Sequence, residues 1–174
     1  MPFGFDDAFA AGGAALKLIP TLASVVKKLR GHKDPSIQKA IQIIKGDTLE
    51  RCKQFRNALE ELHIGLPDMH VDPKKTLREN RDTYNRFNFA ARIRLNSLHT
   101  KLNSIHTGLA SSTQDIAAII TCLGLDEAAA GAFDDARDVR GTLDAIARSE
   151  GSVGEIIDAY KKILDRYIDD LSKP

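Results

Sequence analysis

Two long apolar stripes at helical spacing constrain this sequence more than any other feature. Residues 35–64 and 74–108 each place apolar side chains at steps that alternate mostly between three and four, which is typical of a coiled-coil-like seam. The segment 65–72 between them is short, so two helices of about 45–50 Å must fold back on each other. The sequence therefore predicts an antiparallel helical hairpin over about residues 35–108.

Capping residues indicate helices along the rest of the chain. Asp34 and Asp72 each precede a proline, which places an N-cap directly before the first helical position. Ser152 and Glu155 form a capping box, and Ser112 begins a weaker one. No run of alternating β-branched residues is long enough for a strand. We predict six helices, over residues 6–30, 35–64, 74–108, 113–123, 126–148 and 153–171.

These helices are expected to form an all-α, single-domain helical bundle, with the shorter helices packed on the long hairpin. The chain has 174 residues, of which 43% are hydrophobic, enough for one core. Residues 1–31 are assigned to an apolar N-terminal helix and residues 32–174 to the bundle. Gly46 permits a break in the second helix, but the apolar stripe passes through it in register, so we predict one helix with a kink left open.

Charge is distributed unevenly along the chain. The net charge is +1 overall, but residues 74–110 carry +6 and residues 111–174 carry −6. A basic helix is a candidate for binding nucleic acid or anionic lipid. Alternatively, it packs beside the acidic C-terminal helices and the charges compensate. Nucleic acid is not an expected partner, because the sequence lacks a helix-turn-helix pattern and aromatic residues interleaved with cations.

The two cysteines, Cys52 and Cys122, have neither metal-binding nor redox-motif spacing. Both fall on apolar stripes, so we expect buried, reduced thiols, as in cytoplasmic proteins. The first charges in the sequence are Asp6 and Asp7, whereas a secretory signal begins with positive residues. The sequence predicts a cytoplasmic protein and leaves recruitment to a membrane open.

Residues 8–26 are the most unusual segment of the sequence. Lys17 is their single charge, and their length approaches the about 20 apolar residues that a membrane span needs. Against a permanent span, alanine and glycine add little transfer energy, Pro20 interrupts the helix, and a central lysine costs ~2.5–3.5 kcal/mol on insertion. The segment is therefore expected to be a buried central helix, a helix that engages membrane on activation, or both in turn.

For membrane engagement, bulky apolar side chains would enter the bilayer and cations would contact the headgroups. The candidate insertion residues are Phe3, Phe5, Phe9, Leu16, Leu18, Ile19, Leu22, Val25 and Val26. The candidate contacts with anionic lipid are Lys27, Lys28 and Arg30. Each such cation gains about 1 kcal/mol near an anionic leaflet. Gly12 and Gly13 also favour a segment that changes partners, because the pair costs ~2 kcal/mol against two alanines in an ordinary core helix.

An apolar helix over residues 1–30 ahead of a helical bundle resembles the HeLo and HeLo-like domains of cell-death effectors. In those domains the apolar N-terminal helix precedes a four- or five-helix bundle and can attack membranes. The resemblance implies a non-enzymatic effector or signalling domain that engages or permeabilises an anionic membrane on activation, after oligomerisation in one version. The alternative is a soluble helical adaptor that binds a protein partner or self-associates.

No residue pattern in the sequence points to catalysis. Glu60 and His63 form one helical Glu-x-x-His, but a di-iron bundle needs two such motifs and two further glutamates. The acidic string at residues 134–138 resembles a Mg²⁺-diphosphate motif, but Arg137 within it favours a salt-bridged surface. A P-loop, Gly-x-Ser-x-Gly and His-Glu-x-x-His are absent from the sequence. We predict no enzymatic activity, metal, cofactor or small-molecule substrate.

Overall fold

The computed structural model describes residues 5–84, 89–124, 137, 140–141, 143–144 and 151–174, with residues 5–6 and 81–84 as backbone only. Within these ranges the protein is helical, with no strand beyond one isolated bridge between Thr76 and Ser152. The structure there has α1 (Phe5–Leu29), α2 (Pro35–Gly65), α3 (Leu77–Tyr84), α4 (Phe89–Leu123) and α5 (Val153–Ser172), and residues 137, 140–141 and 143–144 are helical as well. The prediction of an all-α helical bundle is confirmed.

Contacts between α2 and α4 confirm the predicted hairpin. The Lys101 ammonium of α4 lies 2.8 Å from the Glu61 carboxylate of α2. Seven residues later in α4, Gly108 lies against the guanidinium of Arg51, which comes ten residues before Glu61 in α2. Contacts therefore move towards the start of α2 as they move towards the end of α4, so the two helices are antiparallel. The linker between α2 and α3 includes a short 3-10 turn, Pro67–Met69. Asp34 caps the start of α2 by accepting the Ser36 N–H at 2.9 Å.

The second arm of the hairpin differs from the prediction towards its end. The predicted helix over 74–108 is helical over Leu77–Tyr84 and from Phe89 onward, with residues 85–88 outside the described ranges, and the predicted helix over 113–123 is the continuation of α4 through residues 109–112. Ser112 is buried within α4 and does not cap a new helix. The Thr113 hydroxyl donates to the Leu109 carbonyl at 2.8 Å, a bond available only inside a helix. The apolar stripe of α4 continues through this region, and its burial outweighs the local capping preference.

Helix α1 lies in the interior of the bundle, where it packs against α2, α4 and α5. The side chains of Leu16, Ile19, Leu22 and Val25 are fully buried. Pro20 lies inside the helix without ending it. α2 likewise runs through Gly46 as one helix, as predicted. In this structure α1 is therefore the buried central helix that was one of the interpretations of residues 8–26.

Packing explains why α1 carries two adjacent glycines. A methyl group at Gly12 would lie 3.3 Å from the ring of Phe55, which is fully buried in α2. A methyl group at Gly13 would lie 3.3 Å from the Tyr160 hydroxyl of α5. The ring of Phe9 lies 6.1 Å from that of Tyr160. The glycines thus admit two aromatic rings close to the α1 backbone, which offsets their low helix propensity.

A polar clamp holds the start of α5. The Ser152 hydroxyl accepts the Glu155 N–H at 3.2 Å, and the Glu155 carboxylate accepts the Ser152 N–H. The predicted capping box is therefore confirmed. The next two N–H groups donate to the loop before α3, Val153 to the Lys75 carbonyl and Gly154 to the Pro73 carbonyl, both at 2.9 Å. Together these bonds satisfy backbone donors that a helix start leaves unpaired.

The buried side chain of Asn80 organises that loop. Its carboxamide accepts the Asp72 N–H at 2.8 Å and donates to the Asp72 and Thr76 carbonyls at 3.0 and 2.9 Å. The residue is 2% exposed. Asn80 also donates to the Lys75 carbonyl at 3.3 Å, which accepts from Val153 of α5, so it orders the loop that ties the linker of the hairpin to the last helix.

The two cysteines differ in their surroundings. Cys52 is fully buried in α2, as predicted, and burial raises the pKa of its thiol to about 12, so it stays protonated. Cys122 is exposed, so the prediction that it is buried was wrong. The buried face of the last turns of α4 passes through Ile116 and Ile119, which places Cys122 on the outer face.

Candidate functional site

The predicted insertion residues of α1 face protein in this structure. Within the described side chains, Phe9, Leu16, Ile19, Leu22, Val25 and Val26 are buried, and Leu18 is partly buried. Phe3 and the side chain of Phe5 lie outside the described residues. A membrane could therefore contact this set only after α1 has left its place in the bundle.

Helix α1 is long and apolar enough to cross a membrane over Asp7–Leu29, which is also true of many buried helices in water-soluble proteins. Its central charge lies on the outer side of the bundle. The Lys17 ammonium is about half exposed and lies 3.8 Å from the Asp144 carboxylate. The packed helix thus keeps its apolar faces in the core and its one central cation near water.

Lys27 and Arg30 line a cleft where the end of α1 meets α2 and α5. Its volume is about 360 Å³. We call it the cationic cleft, after its charged lining residues Lys27, Arg30, Lys45, Arg166, Lys173 and Asp170. Two of the three predicted headgroup contacts therefore converge with cations from two other segments. Lys28 is exposed on α1 outside this lining.

Backbone carbonyl groups hold two of these cations in place. The Arg30 guanidinium donates to the carbonyls of Lys173, at 3.4 Å, and Pro174. The Lys45 ammonium donates to the Lys173 carbonyl at 2.5 Å. The Lys173 carbonyl carries no net charge, so its bonds orient Arg30 and Lys45 without cancelling their charge. They also place positive charge beside the carbonyl end of α5, where the helix dipole favours it.

The remaining lining residues make the cleft asymmetric. The Arg166 guanidinium lies 5.7 Å from the centre of the Tyr167 ring, at cation–π distance. The Lys173 ammonium lies 3.4 Å from Asp169 and 3.5 Å from Asp170, and these carboxylates raise its pKa. Among the described lining residues Asp170 is the single carboxylate. Most of the positive charge in the cleft is therefore left without a carboxylate in the lining.

Sequence reasoning missed Lys45, Arg166 and Lys173 as members of this site. They lie on segments far apart in the sequence and share no motif with Lys27 and Arg30. The only available signal was the tendency of cations to lie near helix C-termini. Their convergence depends on α1 and α5 ending at the same end of the bundle where α2 begins.

The other charged clusters are ion pairs between helices. Glu60 of the Glu-x-x-His motif lies 2.7 Å from Lys161 and 2.9 Å from Arg56, and these two cations lower the pKa of its carboxyl to about 2. Arg56 also lies 2.6 Å from Asp165. Within the described residues, no group of three histidine, cysteine, aspartate or glutamate side chains is arranged to hold a metal ion. Most of the acidic string at 134–138 lies outside the described residues.

Two cations of the basic segment are neutralised within the hairpin. Arg94 lies 2.7 Å from Asp68, and Lys101 lies 2.8 Å from Glu61. Their partners belong to α2 and the turn that follows it. The prediction had instead paired the basic segment with the acidic C-terminal helices. The C-terminal Asp165 pairs with Arg56 of α2.

The fold and the site define a class: an all-α bundle around a buried apolar helix that ends at a cationic cleft. No family model, curated protein or solved structure matches the chain. The resemblance to HeLo-like domains therefore depends on the arrangement of the sequence and stays a prediction.

Proposed function

We propose that this protein is a non-enzymatic helical effector whose helix α1 leaves the bundle on activation and engages an anionic membrane. The observation that supports the proposal is that α1 combines membrane-spanning length and apolarity with cations at its end. The helix has the length and apolarity of a membrane-crossing segment, and it ends in cations at the surface of the bundle. This is the arrangement expected of the HeLo-like effectors that the sequence resembles.

The energetics of burial support an exchange of partners. Burying one large aliphatic side chain stabilises it by about 1.5–3 kcal/mol relative to water. Leu16, Ile19 and Leu22 would lose this contribution on leaving the core, and a bilayer would restore it because hydrocarbon is equally apolar. Membrane binding therefore offsets the release of α1 in a way that water does not.

Release of α1 would also uncover the faces of α2, α4 and α5 that it covers. An apolar face that loses its cover to water favours association with another surface. The proposal therefore includes a second event, self-association of the remaining bundle or capture by a protein partner, that covers this face.

The test is dye release from vesicles of phosphatidylcholine with and without phosphatidylglycerol. We expect the full chain to release dye from the anionic vesicles only, and a Leu22→Ala variant to do so faster because its α1 is held less tightly. A triple Lys27/Lys28/Arg30→Glu variant should lose both binding and release while its helical circular dichroism is retained.

A matched charge reversal controls for net charge. Lys53, Lys74 and Lys162 are exposed and lie outside the cleft lining, so their triple change to glutamate should leave vesicle release unaltered. Release that survives the reversal at Lys27, Lys28 and Arg30 would refute the electrostatic part of the proposal. Absence of binding and release by every full-length variant, Leu22→Ala included, would refute the proposal itself.

A second candidate function is that of an adaptor, and an exposed apolar surface favours it. At the opposite end of the hairpin from the cationic cleft, Ile64 is 74%, Phe89 79% and Ile93 53% exposed. A cleft of about 330 Å³, lined by Leu62, Met69 and Ile93 among others, lies beside α4 there. Exposed aromatic and aliphatic side chains next to a cleft are typical of protein interfaces.

Sedimentation velocity over a range of protein concentrations tests this candidate. We expect the wild-type chain to associate with itself and a Phe89→Ser/Ile93→Ser variant to remain monomeric. Exposed Ile43, on α2, provides the control, because Ile43→Ser removes a similar side chain at a distance from that cleft. Identical sedimentation of all three proteins at every concentration would exclude self-association through this surface.

A further inference from the structure

We infer that the cationic cleft is a binding site for a phosphate-bearing anion, a phosphomonoester or pyrophosphate group, and that the bound anion holds α1 in the bundle. The second half of this inference rests on the proposed release of α1, and the first half is independent of it. The inference depends on one juxtaposition: cations from α1, from α2 and from the end of α5 line the same cleft.

The charge and size of the cleft define the chemistry of its ligand. Five cations and one carboxylate line it, and that carboxylate lies 3.5 Å from one of the five, Lys173. Its volume of about 360 Å³ exceeds that of a single water molecule, whose share of liquid volume is about 30 Å³, by roughly tenfold. A phosphate group with a small substituent matches this space, and several ammonium and guanidinium groups are what its oxygens need as donors.

The Arg30 and Lys45 side chains are already oriented for such a ligand. Both are held by the Lys173 carbonyl, at 3.4 and 2.5 Å, so less side-chain freedom is lost when an anion binds. Arg166, beside the Tyr167 ring, contributes a guanidinium from α5. The donors thus approach the cleft from three chain segments.

The site is complete only while α1 is docked. Lys27 lies in the last turn of α1 and Arg30 directly follows the helix, whereas Lys45 and Arg166 belong to α2 and α5. Undocking α1 would separate the two groups. An anion that contacts both groups binds the docked state more tightly than the undocked one, and it must therefore shift the population towards the docked state. The cationic cleft then acts as a lock on α1.

The first experiment measures anion binding to the full chain without any membrane. The thermal unfolding midpoint is followed as sodium pyrophosphate is added, with sodium chloride adjusted to constant ionic strength. We expect a saturable rise for the wild-type protein. A Lys27→Gln/Arg166→Gln variant should bind about tenfold more weakly or worse, the loss expected when charged hydrogen bonds to an anion are removed.

A variant with the same change in net charge provides the control. Lys53 and Lys162 are exposed on α2 and α5 and lie outside the cleft lining, so Lys53→Gln/Lys162→Gln should respond to pyrophosphate like the wild-type protein. Equal rises in all three proteins would overturn the site, since pyrophosphate would then bind by net charge alone. No rise in the wild-type protein would overturn a soluble phosphate as the ligand and, with it, the lock on α1.

The second experiment tests the lock by adding pyrophosphate to the dye-release assay with phosphatidylglycerol vesicles. We expect saturating pyrophosphate to slow release by the wild-type protein by at least about fivefold. It should have little effect on Lys45→Gln/Arg166→Gln, which changes two cleft cations and leaves the predicted headgroup contacts in place. If the midpoint rises but release is unchanged or faster, the lock is wrong and the site stands. If no protein releases dye in any condition, the proposed function fails, and the midpoint measurement still decides the site.

A third arm distinguishes a soluble phosphate from a lipid headgroup as the source of the anion. Vesicles of phosphatidylcholine with phosphatidic acid present the same phosphomonoester at a surface. We expect pyrophosphate to raise the unfolding midpoint and to compete with these vesicles for the wild-type protein. Binding to phosphatidic acid that requires Lys27 and Arg166, with no response to pyrophosphate, would assign the cleft to a lipid headgroup and overturn the lock.

Discussion

Helices α1 and α5 share one core but are held in it by different interactions. α1 contributes side chains that are buried around much of its circumference, and its backbone approaches Phe55 and Tyr160 closely at Gly12 and Gly13. α5 buries one stripe and is also fixed by directional polar bonds. Its capping box closes its first turn, and Asp165 lies 2.6 Å from Arg56 of α2.

Under the proposed function, this difference is what would let α1 exchange partners and keep α5 in the bundle. Apolar burial is non-directional, so a bilayer or another apolar surface satisfies the side chains of α1 as well as the bundle does. The polar bonds of α5 depend on geometry found only in the folded bundle, and a bilayer would leave those groups unpaired. The comparison predicts that damage to the two helices has similar effects on stability and different effects on membrane activity.

The largest expected effect comes from equivalent cavities in the two helices. Leu22 of α1 and Leu164 of α5 are both fully buried, so Leu22→Ala and Leu164→Ala should each lower the free energy of unfolding by about 2–5 kcal/mol. Urea denaturation measures this loss. Dye release from anionic vesicles should increase more for Leu22→Ala than for Leu164→Ala, because Leu22 belongs to the apolar helix that must leave the bundle.

Equal increases in dye release from both variants would refute the proposed difference between α1 and α5, since general unfolding would then explain membrane activity. Leu49 of α2 is partly buried and lies outside both helices, so Leu49→Ala is a useful third variant. We expect it to lose less stability than the other two and to release dye like the wild-type protein.

The next largest effect concerns the polar clamp at the start of α5. Asn80→Ala removes a buried carboxamide that bonds to the Asp72 N–H and to the Asp72 and Thr76 carbonyls. We expect a loss of about 1–3 kcal/mol in the free energy of unfolding, because buried backbone groups are left without partners. Hydrogen exchange should accelerate at the amides of Val153 and Gly154, which donate to this loop.

Exposed Asn57 of α2 supplies the control for this variant, and Asn57→Ala should change neither property. If Asn80→Ala leaves exchange at Val153 and Gly154 unchanged, the loop does not transmit order to α5. The polar fixing of α5 would then depend on its capping box and ion pairs, and the contrast with α1 would be smaller than proposed.

The elements that the sequence predicted well are those with a local signal. The stripe of α2, its Asp34 cap and the Ser152 capping box each act within a few residues, and all are present in the structure. The helix start predicted after Ser112 is absent because tertiary burial of the α4 stripe outweighs a weak cap. The partners of Gly12 and the cations Lys45 and Arg166 come from distant segments, and no local pattern records such contacts.

A smaller effect tests the close approach of α1 to its neighbours. Gly46 of α2 is exposed, and a methyl group added there would have no neighbour within 4 Å, so Gly46→Ala should raise the free energy of unfolding by about 0.5–1 kcal/mol. At Gly12 the methyl group would meet the buried Phe55 ring at 3.3 Å, so Gly12→Ala should lower it. Thermal unfolding of the two variants compares them directly.

Opposite signs for the two alanine variants would sharpen the comparison, because they would show that α1 is packed to its limit against α2. If Gly12→Ala stabilises the protein as much as Gly46→Ala does, the Phe55 ring can shift. The glycine pair would then have no packing role, and its presence in a core helix would again favour a segment that changes partners.

The smallest effect is a pH dependence that belongs to the α5 side of the comparison. The cations Lys161 and Arg56 lower the pKa of the Glu60 carboxyl from 4.5 to about 2. A lowered carboxyl pKa means that the unfolded chain binds a proton more readily than the folded one. The stabilisation is therefore fully present above about pH 4.5 and is lost as the pH falls towards 2. Glu60→Gln should flatten the decline of unfolding free energy across this window.

Glu50 provides the matched control, because it lies on the same helix, is exposed and has no ion pair among the described residues. With Glu50→Gln, the free energy of unfolding should still fall more steeply with falling pH than it does with Glu60→Gln. Urea denaturation between pH 2 and 6 measures both variants. The docking of α1 depends mainly on apolar contacts, which do not titrate, so Leu22→Ala should shift the whole profile downward without changing its slope. A change of slope in Leu22→Ala would mean that titrating groups couple to the docking of α1, and the division between the two helices would fail.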